Sequence, residues 1–411
     1  MKPRCRPAVL AVLAVPAVLA VLLASCRGAP RTALSAEQLA RLVDSLRPQV
    51  QTAAGLEFRG PVRSAVTSRE AVRAFLEEKV RKDFPPERLE GLQAAYQLLG
   101  FLPDTLDLQA LLLDLYTEQV AGYYDPETST LYAVRGGDPS QLRLILAHEL
   151  VHALQHQYLP LDSLMAIRDD ADRLAAVQAV LEGHATIASI RVLTPGQDVL
   201  AEPGFWDTYR EQVRAQQVRM EVFRTAPLVL REGLVFPYID GARFVHWWTQ
   251  THEAALPSTP ELPVSTEQVL HTERYAAGDG PVALRFTDAQ NDGLYEDTIG
   301  ELEVAVLLAI FRGADQASWD APLGWDGDRY RVYRTPDGPA LVWYVVWDGT
   351  QFADRFAGVA GPGFGARARI GYRVSTEVLT LDSLPVVRVV HAPAAWAGWR
   401  ALPKIESRGV R

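Results

Sequence analysis

Cysteine is nearly absent. Of 411 residues only Cys5 and Cys26 carry a thiol, and both lie within the first 26 positions. This excludes disulfide staples and thiolate metal sites from the rest of the chain, so any metal must be held by His, Asp or Glu. An excess of basic charge is missing as well. The formal net charge is −9, with both signs mixed along the chain, which excludes the basic patch that nucleic-acid phosphates require. After residue 25 no apolar run is long enough to cross a bilayer. Internal repeats and long low-complexity tracts are also lacking. Histidine is scarce, eight in all, yet three of the eight fall in one short stretch.

The first 26 residues, "MKPRCRPAVLAVLAVPAVLAVLLASC", have a basic start at Lys2, Arg4 and Arg6 and an apolar run from Ala8 to Ala24, broken by Pro16. Such a layout predicts an export signal over residues 1–25. Its end, "LASC", resembles the lipobox of bacterial lipoproteins, in which cleavage leaves a lipidated cysteine. On that resemblance Cys26 is the lipidation site, and the protein is expected to be extracytoplasmic and lipid-anchored to a bacterial membrane rather than spanning it. An uncleaved helical anchor is the alternative. Loss of three positive charges with the signal takes the net charge from −9 to about −12.

Residues 26–34 read as a tether, and helix starts follow. Ser35 with Gln38, and Thr67 with Glu70, have the spacing of capping boxes, and Leu34 and Leu39 that of a hydrophobic staple. "PERLEGLQAAYQLLG" and "DLQALLLDLYTEQVAG" read as two further helices, each closed by glycine. In "GYYDPETSTLYAV" aromatic and β-branched runs flank a turn signal, which predicts a hairpin. Asp138 and Pro139 then open a helix through the histidines, and "DDADRLAAVQAVLEGHATIASIRVL" forms another that stops at Pro195-Gly196. The expected fold class is α+β and mainly helical, with an edge hairpin before the histidine helix. Residues 35–312 form the principal unit and residues 313–411 a small α+β part.

The histidine-rich stretch is "ILAHELVHALQHQY", Ile145 to Tyr158. His148 and His152 are four apart, so on a helix both imidazoles face one side, about 6 Å apart along the axis. The spacing H-E-x-x-H suits one zinc ion. Glu149, about 100° round the helix, can reach a water on that metal and take its proton as general base. A purely structural site would have no use for it.

The third ligand is not fixed by this stretch. His156 lies about 12 Å along the axis from His148, too far for one ion unless the helix breaks. A better candidate is Glu182, which has the small residues Ala175, Ala179, Gly183 and Thr186 on or beside its helix face. Those would let a second helix approach the metal helix. His184, Asp170 and Asp172 remain competitors. For an oxyanion-stabilising group the candidates are Tyr123, Tyr124, His271, Tyr275 and Tyr295, none singled out. The strand Thr130–Val134 could offer a free edge to an extended peptide, or be an ordinary strand of a closed sheet.

These residues carry a resemblance. His148-Glu149-x-x-His152 followed by a helical Glu182 resembles the Glu-zincins, the class of zinc metallopeptidases that includes thermolysin. More narrowly, "AGYYDPETSTLY", "LAHELVHALQ" and "EGHAT" resemble a family of exported bacterial and archaeal zincins, and the similarity extends to "GWDGDRYRVY" near Trp325. The resemblance implies a zincin-like fold, Zn²⁺ on His148, His152 and Glu182, and hydrolysis of a peptide or protein substrate by a water that Glu149 activates. Where His156 and His184 stand, it leads one to expect acidic residues instead. Two other readings stand beside it: a non-catalytic, zinc-stabilised binding or assembly module of the cell envelope, and hydrolysis of a non-peptide amide.

Overall fold

The computed structural model describes residues 34–136, 139–287 and 293–408. Cys26, the segment before it and Asp138 lie outside the described residues. The fold is α+β.

Helix α1 (Ala36–Ala54) opens with the expected box: the Ser35 side chain accepts from Gln38 N–H, and the Gln38 side chain returns to Ser35 N–H. Its buried stripe of Leu39, Val43, Leu46 and Val50 packs on the histidine helix. Strand β1 (Arg63–Thr67) follows, where the sequence showed no strand pattern. Thr67 therefore ends a strand, and it is the Ser68 side chain that caps α2 (Arg69–Asp83), accepting from Ala71 N–H. Helix α3 (Pro86–Leu99) ends at Gly100 as read. Helix α4 (Leu108–Gln119) has no glycine cap: Val120 is already extended, because the chain straightens into β2 (Gly122–Asp125).

Strands β2 and β3 (Thr130–Val134) form the expected hairpin. Asp125 builds its turn, accepting from Glu127 N–H and from the Thr128 hydroxyl. The sheet order is β1-β3-β2, with β1 parallel to β3. Strand Thr130–Val134 is thus central and paired on both sides, so it offers no free edge. The edges are β1 and β2.

Helix α5 (Pro139–Gln155) carries the histidines, and after the one-turn α6 (Leu161–Leu164) comes α7 (Ala171–Leu193), capped by Asp170. From Ala176 onward α7 is buried nearly all round, as befits a helix with neighbours on every side. Next come α8 (Phe205–Gln217), α9 (Glu221–Thr225) and α10 (Leu228–Phe236). Helix α10 runs into a π-helical turn, Pro237–Gly241, and on into α11 (Ala242–Thr251). Two short helices, α12 (Thr266–Leu270) and α13 (Thr272–Ala277), precede β4 (Ala283–Phe286), β5 (Gly293–Asp297) and α14 (Gly300–Arg312).

The C-terminal part contains β6 (Trp325–Tyr333), β7 (Ala340–Trp347), α15 (Thr350–Ala366), β8 (Tyr372–Leu381), β9 (Leu384–Pro393) and β10 (Ile405–Arg408). Its antiparallel sheet has the order β5-β6-β7-β9-β8, and β10 returns to pair with β4. Strand β7 alternates between two cores. Leu341, Trp343, Val345 and Trp347 pack with residues of α14 and α15, whereas Val342, Tyr344 and Val346 face a second cluster closed by Trp396. The sheet thus recruits β5 from before residue 313, and β10 reaches back to β4.

Candidate metal centre

Helix α5 is buried because its sequence is apolar almost all round, and its Leu146, Ala147, Leu150, Val151 and Leu154 pack against α1 and against Ala185 and Ala188 of α7. Packing of that kind sets the two helices side by side with His148 and His152 opposite Glu182. His148 Nε2 and Glu182 Oε2 are 3.1 Å apart, His152 Nε2 and Glu182 Oε2 3.4 Å, and the two Nε2 atoms 3.2 Å. These three residues form a group that could hold a metal ion. The stripe of small residues on α7 has a different use from the one expected. Its closest approach through Gly183 is to the π-helical turn, where a β-carbon would press into the backbone of Gly241 and lie 2.7 Å from Ala242 N.

Glu149 sits beside the triad. Its Oε2 accepts from Tyr124 N–H at 2.8 Å, so the outward-facing edge of β2 holds this carboxylate, and its buried Oε1 has no partner. The other candidates are engaged elsewhere. His156 lies beyond the end of α5 and pairs with the Tyr124 hydroxyl at 3.0 Å. His184 pairs with Ala54 O and with Gln155. Asp170 caps α7, and Asp172 accepts from Thr266 N–H at 3.0 Å. Tyr123 is stacked between Phe75 and Tyr132. His271 pairs with Glu301, Tyr275 donates to Glu261 O, and Tyr295 donates to Asp297.

Two residues join the site that sequence reasoning did not name. Gln155 Oε1 lies 2.9 Å from His152 Nδ1; its position three residues after His152 puts it on the same helix face, a signal that was available. Tyr238, from the π-helical turn, stacks on His148 with ring centroids 6.0 Å apart, and its buried hydroxyl makes no hydrogen bond of normal geometry. No local pattern points to it, although π-helical turns cluster at functional sites.

The centre is closed to solvent: His148 and Glu182 are 1 % exposed, Glu149 and His152 0 %. Burial, reinforced by the Glu182 charge, pushes the Glu149 carboxyl up to about 8 despite the opposing pull of His152 and Tyr124 N–H. Burial acts on Glu182 in the same sense. There, however, the charge of His152 and hydrogen bonds from both histidines outweigh it and hold the carboxyl below its ordinary value. For Tyr238, burial and then the Glu182 and Glu149 charges drive ionisation well above the usual phenol range, so its O–H remains a donor.

Residues 288–395 match a family model described as "Domain of unknown function (DUF8575)". That stretch covers the C-terminal sheet from β5 to β9 with α14 and α15, and leaves the His148–Glu182 cluster outside it. No curated protein and no solved structure matches the chain.

Proposed function

We propose that the protein is a zinc-dependent peptidase of zincin type, held outside the cytoplasm by a lipid on Cys26, and that it acts on a peptide or protein substrate. One observation carries the reading: His148, His152 and Glu182 present three donor atoms 3.1–3.4 Å apart, close to the spacing of about 3.3 Å that tetrahedral bonds of 2.0–2.1 Å to zinc require. Two neutral imidazoles and one carboxylate are also the donor chemistry of a catalytic zinc site with a position left open. The resemblance of the motifs to exported zincins and the lipobox-like "LASC" add to it.

When bound, zinc supplies a Lewis acid that makes water nucleophilic at neutral pH and polarises the scissile carbonyl. The chain's own residues do the rest. Glu149 Oε1, buried and unpartnered, takes the proton of the attacking water and hands it to the leaving amine, while Tyr124 N–H keeps the other oxygen fixed. Tyr238, whose ring stacks on His148, would donate its O–H to the oxyanion.

Burial of the whole centre favours a second reading, a metal-stabilised envelope module without turnover, because a substrate must first displace what covers the site. Zinc content and cleavage of a proteome-derived peptide library, measured on wild type and Glu149→Gln, separate the two. The peptidase reading requires stoichiometric zinc in both proteins and chelator-sensitive cleavage by wild type alone. Zinc in both with cleavage by neither decides for the module; loss of zinc in Glu149→Gln sinks the assigned role.

A further inference from the structure

We propose that Gln155 and His184 form a positioning relay that starts at a backbone carbonyl of α1 and holds a proton on His152 Nδ1, so that Nε2 is the nitrogen facing His148 and Glu182. The inference rests on the proposed metal reading only for its purpose; the relay itself follows from hydrogen-bond polarity.

Ala54 is the last residue of α1, and its carbonyl lies beyond the helix's own hydrogen bonding. His184 Nε2 is 2.9 Å from that oxygen. A carbonyl can only accept, so Nε2 bears the hydrogen, and Nδ1 of the neutral ring is left with a lone pair. Gln155 Nε2 is 3.1 Å from this Nδ1 and 2.8 Å from Leu181 O, a second obligate acceptor. Both amide hydrogens are thereby used, and the orientation of the amide, which atom positions alone leave open, is settled. Gln155 Oε1 must then be the atom 2.9 Å from His152 Nδ1, and it can only accept.

Every polar atom of Gln155 is satisfied in a place with 0 % exposure. The opposite amide orientation would set its oxygen against the Leu181 carbonyl and demand the wrong tautomer of both histidines. His148 shows the contrast, for its Nδ1 has no partner among the described residues. The relay therefore orients one ligand of the pair. It also supplies what the acidic residue expected at position 184 would have supplied by another route, an acceptor behind a ligand imidazole.

Long-range ¹H–¹⁵N spectra of histidine-labelled, metal-free protein test the relay without any metal. They should show His184 with its proton on Nε2 and a bare Nδ1, and His152 with Nδ1 protonated. A proton on His184 Nδ1, or a bare His152 Nδ1, overturns the proposal even if the protein binds zinc. Zinc affinity by competition with a chromophoric chelator then measures the effect. Gln155→Leu should bind about 10- to 100-fold more weakly. Equal affinities for wild type and Gln155→Leu, with both folded by circular dichroism, would also overturn it. A wild type with the stated tautomers but no zinc binding removes the metal reading and leaves the relay standing.

Discussion

Gly183 of α7 and Gly241 of the π-helical turn meet backbone to backbone, with no room for a β-carbon on either: one on Gly241 would press into Ala179 O, one on Gly183 into Gly241 itself. The contact lies one residue from Glu182 and three from Tyr238, so it sets the distance between a proposed ligand and a proposed oxyanion donor.

Gly183→Ala should therefore damage more than packing. Overfilling a core commonly costs about 1–3 kcal/mol, and here the obstacle is main chain that cannot rotate away, so a loss at or above the upper figure is expected. Urea unfolding of the metal-free variant measures the stability, and a zinc titration shows whether Glu182 has moved. Wild-type values in both would mean that the turn yields easily.

Glu182→Ala removes one donor of three. Since loss of an outer partner alone costs about 10- to 100-fold in metal affinity, loss of this ligand should weaken zinc binding by at least about 100-fold. Competition with a chromophoric chelator reads it directly. Unchanged affinity would require another acid to take its place, and Asp170 and Asp172 are both committed to backbone N–H groups.

Tyr238→Phe keeps the ring on His148 and deletes only the hydroxyl. If that hydroxyl steadies the oxyanion, kcat should fall about 10²- to 10³-fold with zinc content and KM little changed. A rise in KM with kcat intact would assign Tyr238 to substrate binding.

Stability of the metal-free protein should depend on Glu149. Its carboxyl is raised from 4.5 to about 8 in the folded chain, so the folded state binds this proton more tightly than the unfolded state does. The resulting stabilisation is complete below pH 4.5 and is lost as pH rises through about 8, a change of about 5 kcal/mol at most. Glu149→Gln should flatten that slope. Parallel pH profiles for the two proteins would show the assignment to be wrong.

Much of this site was legible in order along the chain. His148, Glu149 and His152 follow from an i, i+4 spacing that any helix turns into one face, and Glu182 from a carboxylate among small residues on the next helix. The hairpin announced itself through Asp125-Pro126, and α1 through Ser35 and Gln38. What escaped notice depends on partners far away in sequence. The five residues of β1 are a strand because β3, more than sixty positions later, pairs with them. Tyr238 stacks on His148 across the same helix contact that brings Gly183 to Gly241, which no window of sequence contains. Gln155 was within reach of the same helical geometry that found its neighbour.

The burial of all four central side chains bears on how an ion would come and go. With these four side chains shut from solvent, loading and stripping would wait on a spontaneous opening of the protein. At high chelator concentration, release would then reach a ceiling set by that opening rate, and a tightly bound ion could outlast a far stronger competitor. Such a centre would be inert by enclosure as much as by affinity.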